Sequence, residues 1–128
     1  MQPQRAFVVE DSPVIRGNLI ETLQELVPVA VVGWADTEAE ASDWLARNPD
    51  GWDLVIIDIF LKQGSGLGVL RSCTQRRPSS KLAVFSNYAT PDMREKCYEL
   101  GADAVFDKSN EIDALIAFCS RLGGEAAA

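Results

Sequence analysis

The 128-residue sequence contains no histidine, and this absence removes several classes of chemistry. The chain can form no Ser-His-Asp or Cys-His catalytic set, no histidine metal site and no phosphohistidine of its own. Cysteine is also scarce. Cys73, Cys97 and Cys119 are odd in number and far apart, which favours free thiols in a reduced, cytoplasmic protein over a disulfide framework. Chemistry is therefore left mainly to carboxylates.

Positive charge and long apolar runs are also in short supply. Twelve Lys and Arg residues stand against 19 Asp and Glu residues, and the formal net charge of −7 disfavours direct binding to nucleic acid. The longest apolar stretch, residues 26–35, is interrupted by Pro28 and Gly33. It is far shorter than the roughly 18–20 residues that span a bilayer. We therefore expect a cytoplasmic protein that neither enters a membrane nor binds nucleic acid directly.

Five short runs of apolar or β-branched residues alternate with segments of helical spacing. Each run is nearly continuous, which is typical of strands buried on both faces of a parallel sheet. This alternation predicts an α/β fold, a doubly wound five-stranded parallel sheet of flavodoxin-like (βα)5 type in the order 2-1-3-4-5. The predicted strands begin at Ala6, Val29, Leu54, Leu82 and Ala104.

Caps and helix breakers set the predicted ends of the five helices. The first two begin after Ser12 and Thr37, the third spans 66–77, the fourth begins at Pro91, and the fifth ends at 123–124. The length fits one domain over residues 1–128, with a core over about 5–123 and a frayed tail over 124–128.

Polar residues follow the predicted strands at their carboxyl ends. Glu10 and Asp11 follow the first strand, Asp58 the third, Ser86 the fourth and Lys108 the fifth. In this fold these ends meet at the crevice where the strand order reverses. Three adjacent carboxylates repel one another, and Mg²⁺ or Mn²⁺ would relieve the repulsion. Such a site can receive a phosphoryl group, with Asp58 as the candidate nucleophile.

Five segments, in this order and spacing, resemble the receiver domains of two-component response regulators, the CheY-like superfamily. The resemblance covers nearly the whole chain. It also implies a stand-alone receiver or a receiver cut from a longer regulator. The five segments are residues 8–12, 55–61, 64–67, 85–87 and 101–109.

The resemblance implies that Asp58 accepts a phosphoryl group from a histidine kinase or a histidine phosphotransfer protein. It also implies that Glu10, Asp11, Asp58 and the backbone carbonyl of Phe60 hold the metal ion. The implied contacts of the phosphoryl group are Lys108, the hydroxyl of Ser86 and the backbone N–H groups of Phe60 and Asn87.

The sequence departs from the family at the conformational switch. Ser86 stands where receivers carry a switch hydroxyl, but the position of the partner aromatic holds Val105, and Phe106 comes one residue later. The aromatic half of the usual switch is therefore expected to be missing. Phe60 and Tyr88 are bulky at positions that influence phosphoryl lifetime in the family, which suggests a long-lived phosphoryl state as a hypothesis.

The family also implies where partners bind. An unknown downstream protein would contact the fourth helix, fifth strand and fifth helix, and the kinase would dock near Pro13 and Val14. The chain would be a monomer or a phosphorylation-dependent dimer, with no enzymatic activity beyond its own phosphoryl transfer and hydrolysis. The residues expected on the downstream surface are Tyr88, Pro91, Met93 and Phe118.

Three alternatives stay open at this stage. The chain could be an adaptor that works without phosphorylation, a flavodoxin-like cofactor binder, or one piece of a longer regulator with a separate output domain. The cofactor binder is disfavoured because the loop after the first strand is acidic. The glycine-rich segment 64–66 lacks the Lys-Ser/Thr of a phosphate-binding loop and is interpreted as a turn into the third helix.

Overall fold

The five apolar runs form one parallel sheet in the order β2-β1-β3-β4-β5. The computed structural model describes residues 3–127, with side chains as far as residue 122. The predicted α/β fold and strand order are therefore confirmed. The strands are β1 Gln4–Val9, β2 Val29–Ala35, β3 Leu54–Ile57, β4 Lys81–Ser86 and β5 Ala104–Asp107.

Five helices connect and follow the strands, and two of them begin at the predicted caps. Ser12 Oγ accepts a hydrogen bond from Ile15 N–H at 3.3 Å, and Thr37 Oγ1 accepts one from Glu40 N–H at 3.2 Å. These bonds satisfy N–H groups that have no partner within the first helical turn. The helices are α1 Pro13–Leu26, α2 Glu38–Arg47, α3 Gly66–Ser72, α4 Pro91–Glu99 and α5 Ile112–Ala127.

The sheet separates two layers of helices, each with its own apolar core. Strand residues alternate between the layers because successive side chains of a strand point to opposite faces. On β3, Leu54 and Ile56 face α1 and α5, whereas Val55 and Ile57 face α2, α3 and α4. All four are almost completely buried. Burial on both faces explains why these runs are apolar without interruption.

Helix α3 is shorter than predicted, because it ends at Ser72 instead of continuing to residue 77. The N–H of Cys73 bonds to the Leu70 carbonyl at 3.1 Å, which tightens the last turn. The guanidinium of Arg76 then donates to the Cys73 carbonyl at 3.3 Å and to the Ser80 carbonyl at 2.8 Å. The arginine therefore satisfies the Cys73 carbonyl, which a longer helix would have used itself.

Helix α5 is longer than predicted, because it continues through Gly123 and Gly124 to Ala127. A glycine within a helix costs only about 1 kcal/mol relative to alanine, and the residues that follow are good helix formers. The fraying expected for 124–128 stays a prediction, and residue 128 lies outside the described residues. Within residues 3–127, no helix is both long and apolar enough to cross a membrane.

Candidate functional site

The acidic residues that follow β1 and β3 meet at the carboxyl edge of the sheet. Asp58 N–H donates to the Val9 carbonyl at 2.9 Å, so the end of β3 is held beside the end of β1. Carboxylate oxygens of Glu10, Asp11 and Asp58 lie within 4.8 Å of one another. Glu10 and Asp58 are buried, and Asp11 is half-buried. The expected convergence of the three carboxylates is therefore confirmed.

Lys108 enters this acidic cluster from the end of β5. Its Nζ donates to Asp58 Oδ2 at 2.9 Å and also to Glu10 Oε1. The side chains of Lys108, Asp58 and Glu10 are only 9%, 11% and 4% exposed. An ammonium group buried to this extent needs carboxylate partners, because an unpaired charge in the interior is costly. Lys108 is therefore part of the cluster and not a surface lysine.

Burial and pairing have opposite effects on the titration of these groups. Burial raises the pKa of Glu10, and hydrogen bonds from Lys108 and from Ser12 N–H offset this only in part. Burial also opposes the charge on Lys108, but hydrogen bonds to Glu10 and Asp58 outweigh it and raise the lysine pKa. Three carboxylates and one ammonium leave two formal negative charges in the cluster, which favours entry of a cation.

The donor set of the cluster fits a divalent cation that prefers oxygen. Mg²⁺ and Mn²⁺ bind through carboxylates, carbonyls and water, and three carboxylates are gathered here. Asp11 is half-exposed at the rim, so the cluster is not sealed from solvent. Phe60, whose carbonyl the family resemblance implies as a ligand, lies two residues after Asp58 in the loop that follows β3. The cluster can therefore hold an ion of this type.

The expected switch hydroxyl is buried at the end of β4. Ser86 Oγ accepts a hydrogen bond from Tyr88 N–H at 3.2 Å, and the Ser86 carbonyl accepts one from Lys108 N–H at 3.0 Å. The next residue, Asn87, is exposed, and its Oδ1 lies 3.3 Å from Ser109 Oγ. The Ser86 side chain is thus held by the loop that follows it, and its backbone is joined to Lys108.

The switch position on β5 carries a small apolar residue. Val105 is buried in the core shared with α2, α3 and α4. Phe106 faces the opposite layer, where its ring centre lies 5.7 Å from that of Phe118. Because adjacent strand residues point to opposite faces, Phe106 cannot take the place of the aromatic that is missing at Val105.

Two exposed aromatic residues, one in the loop that follows Asp58 and one in the loop that follows Ser86, contact each other. The ring centres of Phe60 and Tyr88 are 4.2 Å apart, with the rings tilted by 52°. The two residues are 52% and 54% exposed. The sequence identifies each residue by its distance from Asp58 or Ser86, but no spacing rule predicts that their rings touch.

The other residues expected on a downstream surface differ in exposure. Pro91 is exposed at the beginning of α4. Met93 and Phe118 are partly buried, Met93 against the core of the α2, α3 and α4 layer and Phe118 against that of α1 and α5. Each of these two therefore offers only part of its side chain to a partner, and the downstream surface stays a prediction.

The segment 64–66 forms the turn into α3 that the sequence predicts. Gly64 has a positive φ of 81°, and Ser65 Oγ accepts a hydrogen bond from Leu67 N–H at 3.0 Å as the cap of the helix. A Cβ atom on Gly66 would lie 2.1 Å from the Asp58 carbonyl oxygen. Only glycine therefore allows α3 to pack this closely against the loop that carries Asp58.

One support of the site was missed by sequence reasoning. Arg16 Nη1 donates to the backbone carbonyl of Glu10 at 2.8 Å, and its guanidinium lies 3.6 Å from the ring centre of Trp34. The contact fixes the loop that carries Glu10 and Asp11. A bond to a backbone carbonyl leaves no signature in residue type, so the sequence gives no signal for this role.

Comparison with known proteins gives the same picture of the chain. A family model described as the response regulator receiver domain matches residues 6–119. The response regulator protein PilR of Pseudomonas aeruginosa is 33% identical over 107 residues, which cover 80% of this chain and 22% of that protein. The uncharacterized transcriptional regulatory protein YvfU of Bacillus subtilis is 29% identical over 87% of this chain and 54% of its own length. The chain spans 22% to 54% of these two relatives.

Solved structures share the fold at lower sequence identity. The response regulator domain of Thermotoga maritima CheB aligns with a TM-score of 0.82 and 18% identity, over 95% of this chain and 97% of that chain. A response regulator in its Mn²⁺-bound form aligns with a TM-score of 0.71 and 19% identity, over 94% of this chain and 91% of that chain.

Proposed function

The chain belongs to the response regulator receiver domain family of two-component signalling, and from this premise we propose that Asp58 is its phosphoryl acceptor. The donor is a histidine kinase or a histidine phosphotransfer protein. The observation that carries the proposal is the 2.9 Å contact of Lys108 Nζ with Asp58 Oδ2 inside a cluster of three carboxylates. Metal-assisted phosphoryl transfer requires a nucleophile of this kind, a cation site and a positive side chain.

Transfer forms a bond between a carboxylate oxygen of Asp58 and phosphorus, and the bond from phosphorus to the donor's imidazole nitrogen breaks. The electron pair of the broken bond stays on the imidazole, and the product is an aspartyl phosphate. Glu10, Asp11, Asp58 and the Phe60 carbonyl would hold Mg²⁺ or Mn²⁺. When bound, the ion supplies positive charge that neutralises the phosphoryl oxygens.

The remaining phosphoryl contacts come from residues at the carboxyl ends of β3, β4 and β5 and in the loops that follow them. Lys108 Nζ already donates to Asp58 and would donate instead to an oxygen of the phosphoryl group. Ser86 would exchange its bond with Tyr88 N–H for a bond to the phosphoryl group. The backbone N–H groups of Phe60 and Asn87 would complete the set. Ser86 would thereby act as a switch without an aromatic partner at Val105.

The direct test of phosphoryl acceptance is intact mass spectrometry of the wild-type protein. With Mg²⁺ and a small phosphodonor, we expect the mass of one phosphoryl group to be added, and with EDTA we expect none. Neutral hydroxylamine should remove the added mass, because it cleaves acyl phosphates but leaves phosphate esters intact. Protein that gains no mass with Mg²⁺, or gains a hydroxylamine-stable group, would contradict the proposal.

The contact between Phe60 and Tyr88 supports a second expectation, a long-lived phosphoryl group. The paired rings lie in the loops beside Asp58 and Ser86 and would hinder an attacking water. The double substitution Phe60→Ala and Tyr88→Ala is expected to speed loss of the phosphoryl group about tenfold, the effect of roughly 1.4 kcal/mol on a barrier. The rate at which the phosphorylated fraction decays after donor removal measures this. Tyr98→Ala, at an exposed aromatic residue of α4, is the control.

Loss of the phosphoryl group within seconds in wild-type protein would refute the lifetime hypothesis. An unchanged decay rate in the double variant would refute the role of the two rings. Either result would leave phosphoryl acceptance by Asp58 intact, because uptake and decay are measured separately.

We propose a single receiver domain over residues 1–128 whose output is a changed protein-binding surface on α4, β5 and α5. The kinase would dock near Pro13 and Val14, and the downstream surface would include Tyr88, Pro91, Met93 and Phe118.

The limited share of each relative that the chain spans favours one further candidate, the receiver part of a longer regulator. The full reading frame decides between these two. Partner binding that is equal with and without phosphorylation would instead support an adaptor.

A further inference from the structure

Arg94 in the second turn of α4 connects three segments of the chain. Its Nε donates to the Ala89 carbonyl at 2.9 Å, its Nη1 to the Val105 carbonyl at 2.8 Å, and its Nη2 to Glu111 Oε1. The Arg94 and Glu111 side chains are 31% and 34% exposed. One guanidinium thus holds the loop before α4, the strand β5 and the residue that precedes α5.

Glu111 extends the connection to the residue beside Lys108. Its Oε1 also accepts a hydrogen bond from Asp107 N–H at 2.9 Å. Its backbone carbonyl accepts one from Leu115 N–H at 3.1 Å, so Glu111 stands at the beginning of α5. The hydrogen bond from Arg94 lowers the pKa of Glu111, which keeps the carboxylate ionised.

The position of these contacts relates Arg94 to the phosphoryl site. Ala89 lies three residues after Ser86, and Glu111 lies three residues after Lys108. Val105, whose carbonyl Arg94 binds, stands where the switch aromatic is missing. Arg94 therefore bonds to the segments that follow Ser86 and Lys108, the two residues whose side chains would contact the phosphoryl group.

A second arginine shows what a structural role alone would look like. Arg76 bonds to the carbonyls of Ser80 and Gly101 and to the carboxylate of Asp103, at the opposite end of the sheet from Asp58. Its side chain is 17% exposed, so it is more buried than Arg94. With a further bond to the Cys73 carbonyl, Arg76 makes four side-chain hydrogen bonds, one more than Arg94, but touches no segment that carries a phosphoryl-binding residue.

We infer that Arg94 is a positioning residue that transmits movement of the Ser86 loop to β5 and to the beginning of α5, in place of the missing aromatic. The inference rests on the proposed function of Asp58. When Ser86 moves toward a phosphoryl group, residues 87–90 move with it, and Arg94 carries that movement to the Val105 carbonyl and to Glu111. Substitution of Arg94 should therefore leave phosphoryl uptake unchanged, but the beginning of α5 should no longer respond to it.

The test is hydrogen exchange, read segment by segment, in full-length protein with and without Mg²⁺ and beryllium fluoride, which imitates the phosphoryl group. In the wild type, the exchange rate of residues 111–118 is expected to change about fivefold or more when beryllium fluoride binds. This is at the low end of measured couplings between sites. In Arg94→Met that change should fall below about twofold. The change at 86–90 should persist, and Arg76→Met should behave like the wild type.

Three measurements keep this inference separate from the proposed function. Glu111→Ala leaves the Arg94 bonds to Ala89 and Val105 in place and should also lose the response at 111–118, which covers the case that Arg94→Met unfolds. A full response at 111–118 in folded Arg94→Met, or the same loss in Arg76→Met, would overturn the inference. Wild-type protein that gains no phosphoryl mass and shows no response at 86–90 would instead overturn the proposed function, and the inference with it.

Discussion

Asp58→Asn is expected to abolish the Mg²⁺-dependent addition of phosphoryl mass. Asparagine has nearly the same shape, so the buried position at the end of β3 stays filled. Its amide cannot replace the carboxylate, because it is a poor nucleophile and carries no charge to share in binding a cation. Intact mass spectrometry with a small phosphodonor should therefore record no hydroxylamine-sensitive gain in the variant.

Asp50→Asn is the matched control for this substitution. The Asp50 side chain is 87% exposed in the turn after α2 and lies outside the acidic cluster. The change in charge is the same, so general electrostatic effects should appear equally in both variants. Equal phosphorylation of Asp58→Asn and the wild type would show that the acceptor lies elsewhere.

Lys108→Met is expected to slow phosphorylation by about 100-fold, the usual effect of removing one group that stabilises charge in a transition state. Methionine keeps most of the length of the side chain but loses the ammonium that contacts Asp58 Oδ2 at 2.9 Å. Glu10 also loses the hydrogen bond that offsets part of its burial, so its pKa should rise further. The initial rate of mass gain at fixed Mg²⁺ and phosphodonor measures the effect.

Lys81→Met separates this local effect from the loss of one positive charge. Lys81 begins β4 at the other end of the sheet, where its Nζ donates to the Pro78 carbonyl at 3.2 Å. Its phosphorylation rate should stay close to that of the wild type. A normal rate in folded Lys108→Met would mean that the ammonium has no part in the transfer.

The sheet and the acidic cluster could be predicted because both follow from regular patterns. Continuous apolar runs indicate strands buried on two faces, and the carboxyl ends of parallel strands meet at one edge. Glu10, Asp58 and Lys108 are far apart in the sequence, yet each directly follows a strand. Their contact is thus a consequence of topology, and topology is what the alternation of strands and helices specifies best.

Contacts between side chains and backbone carbonyls could not be predicted in the same way. Arg16 binds the Glu10 carbonyl, and Arg94 binds the carbonyls of Ala89 and Val105. Every residue has a carbonyl, so the acceptor leaves no mark in the sequence. The early end of α3 has the same origin, because Arg76 binds the Cys73 carbonyl there.

The two-layered core limits the routes by which one half of the domain can influence the other. Each buried strand residue packs into the core on one face of the sheet only, so the two cores make no apolar contact with each other through the sheet. Helices α4 and α5 pack on opposite faces of the sheet, and β5 is the edge strand between them. Arg94 reaches Glu111 around the β5 edge of the sheet. A partner that covers this edge would therefore contact both helical layers at once.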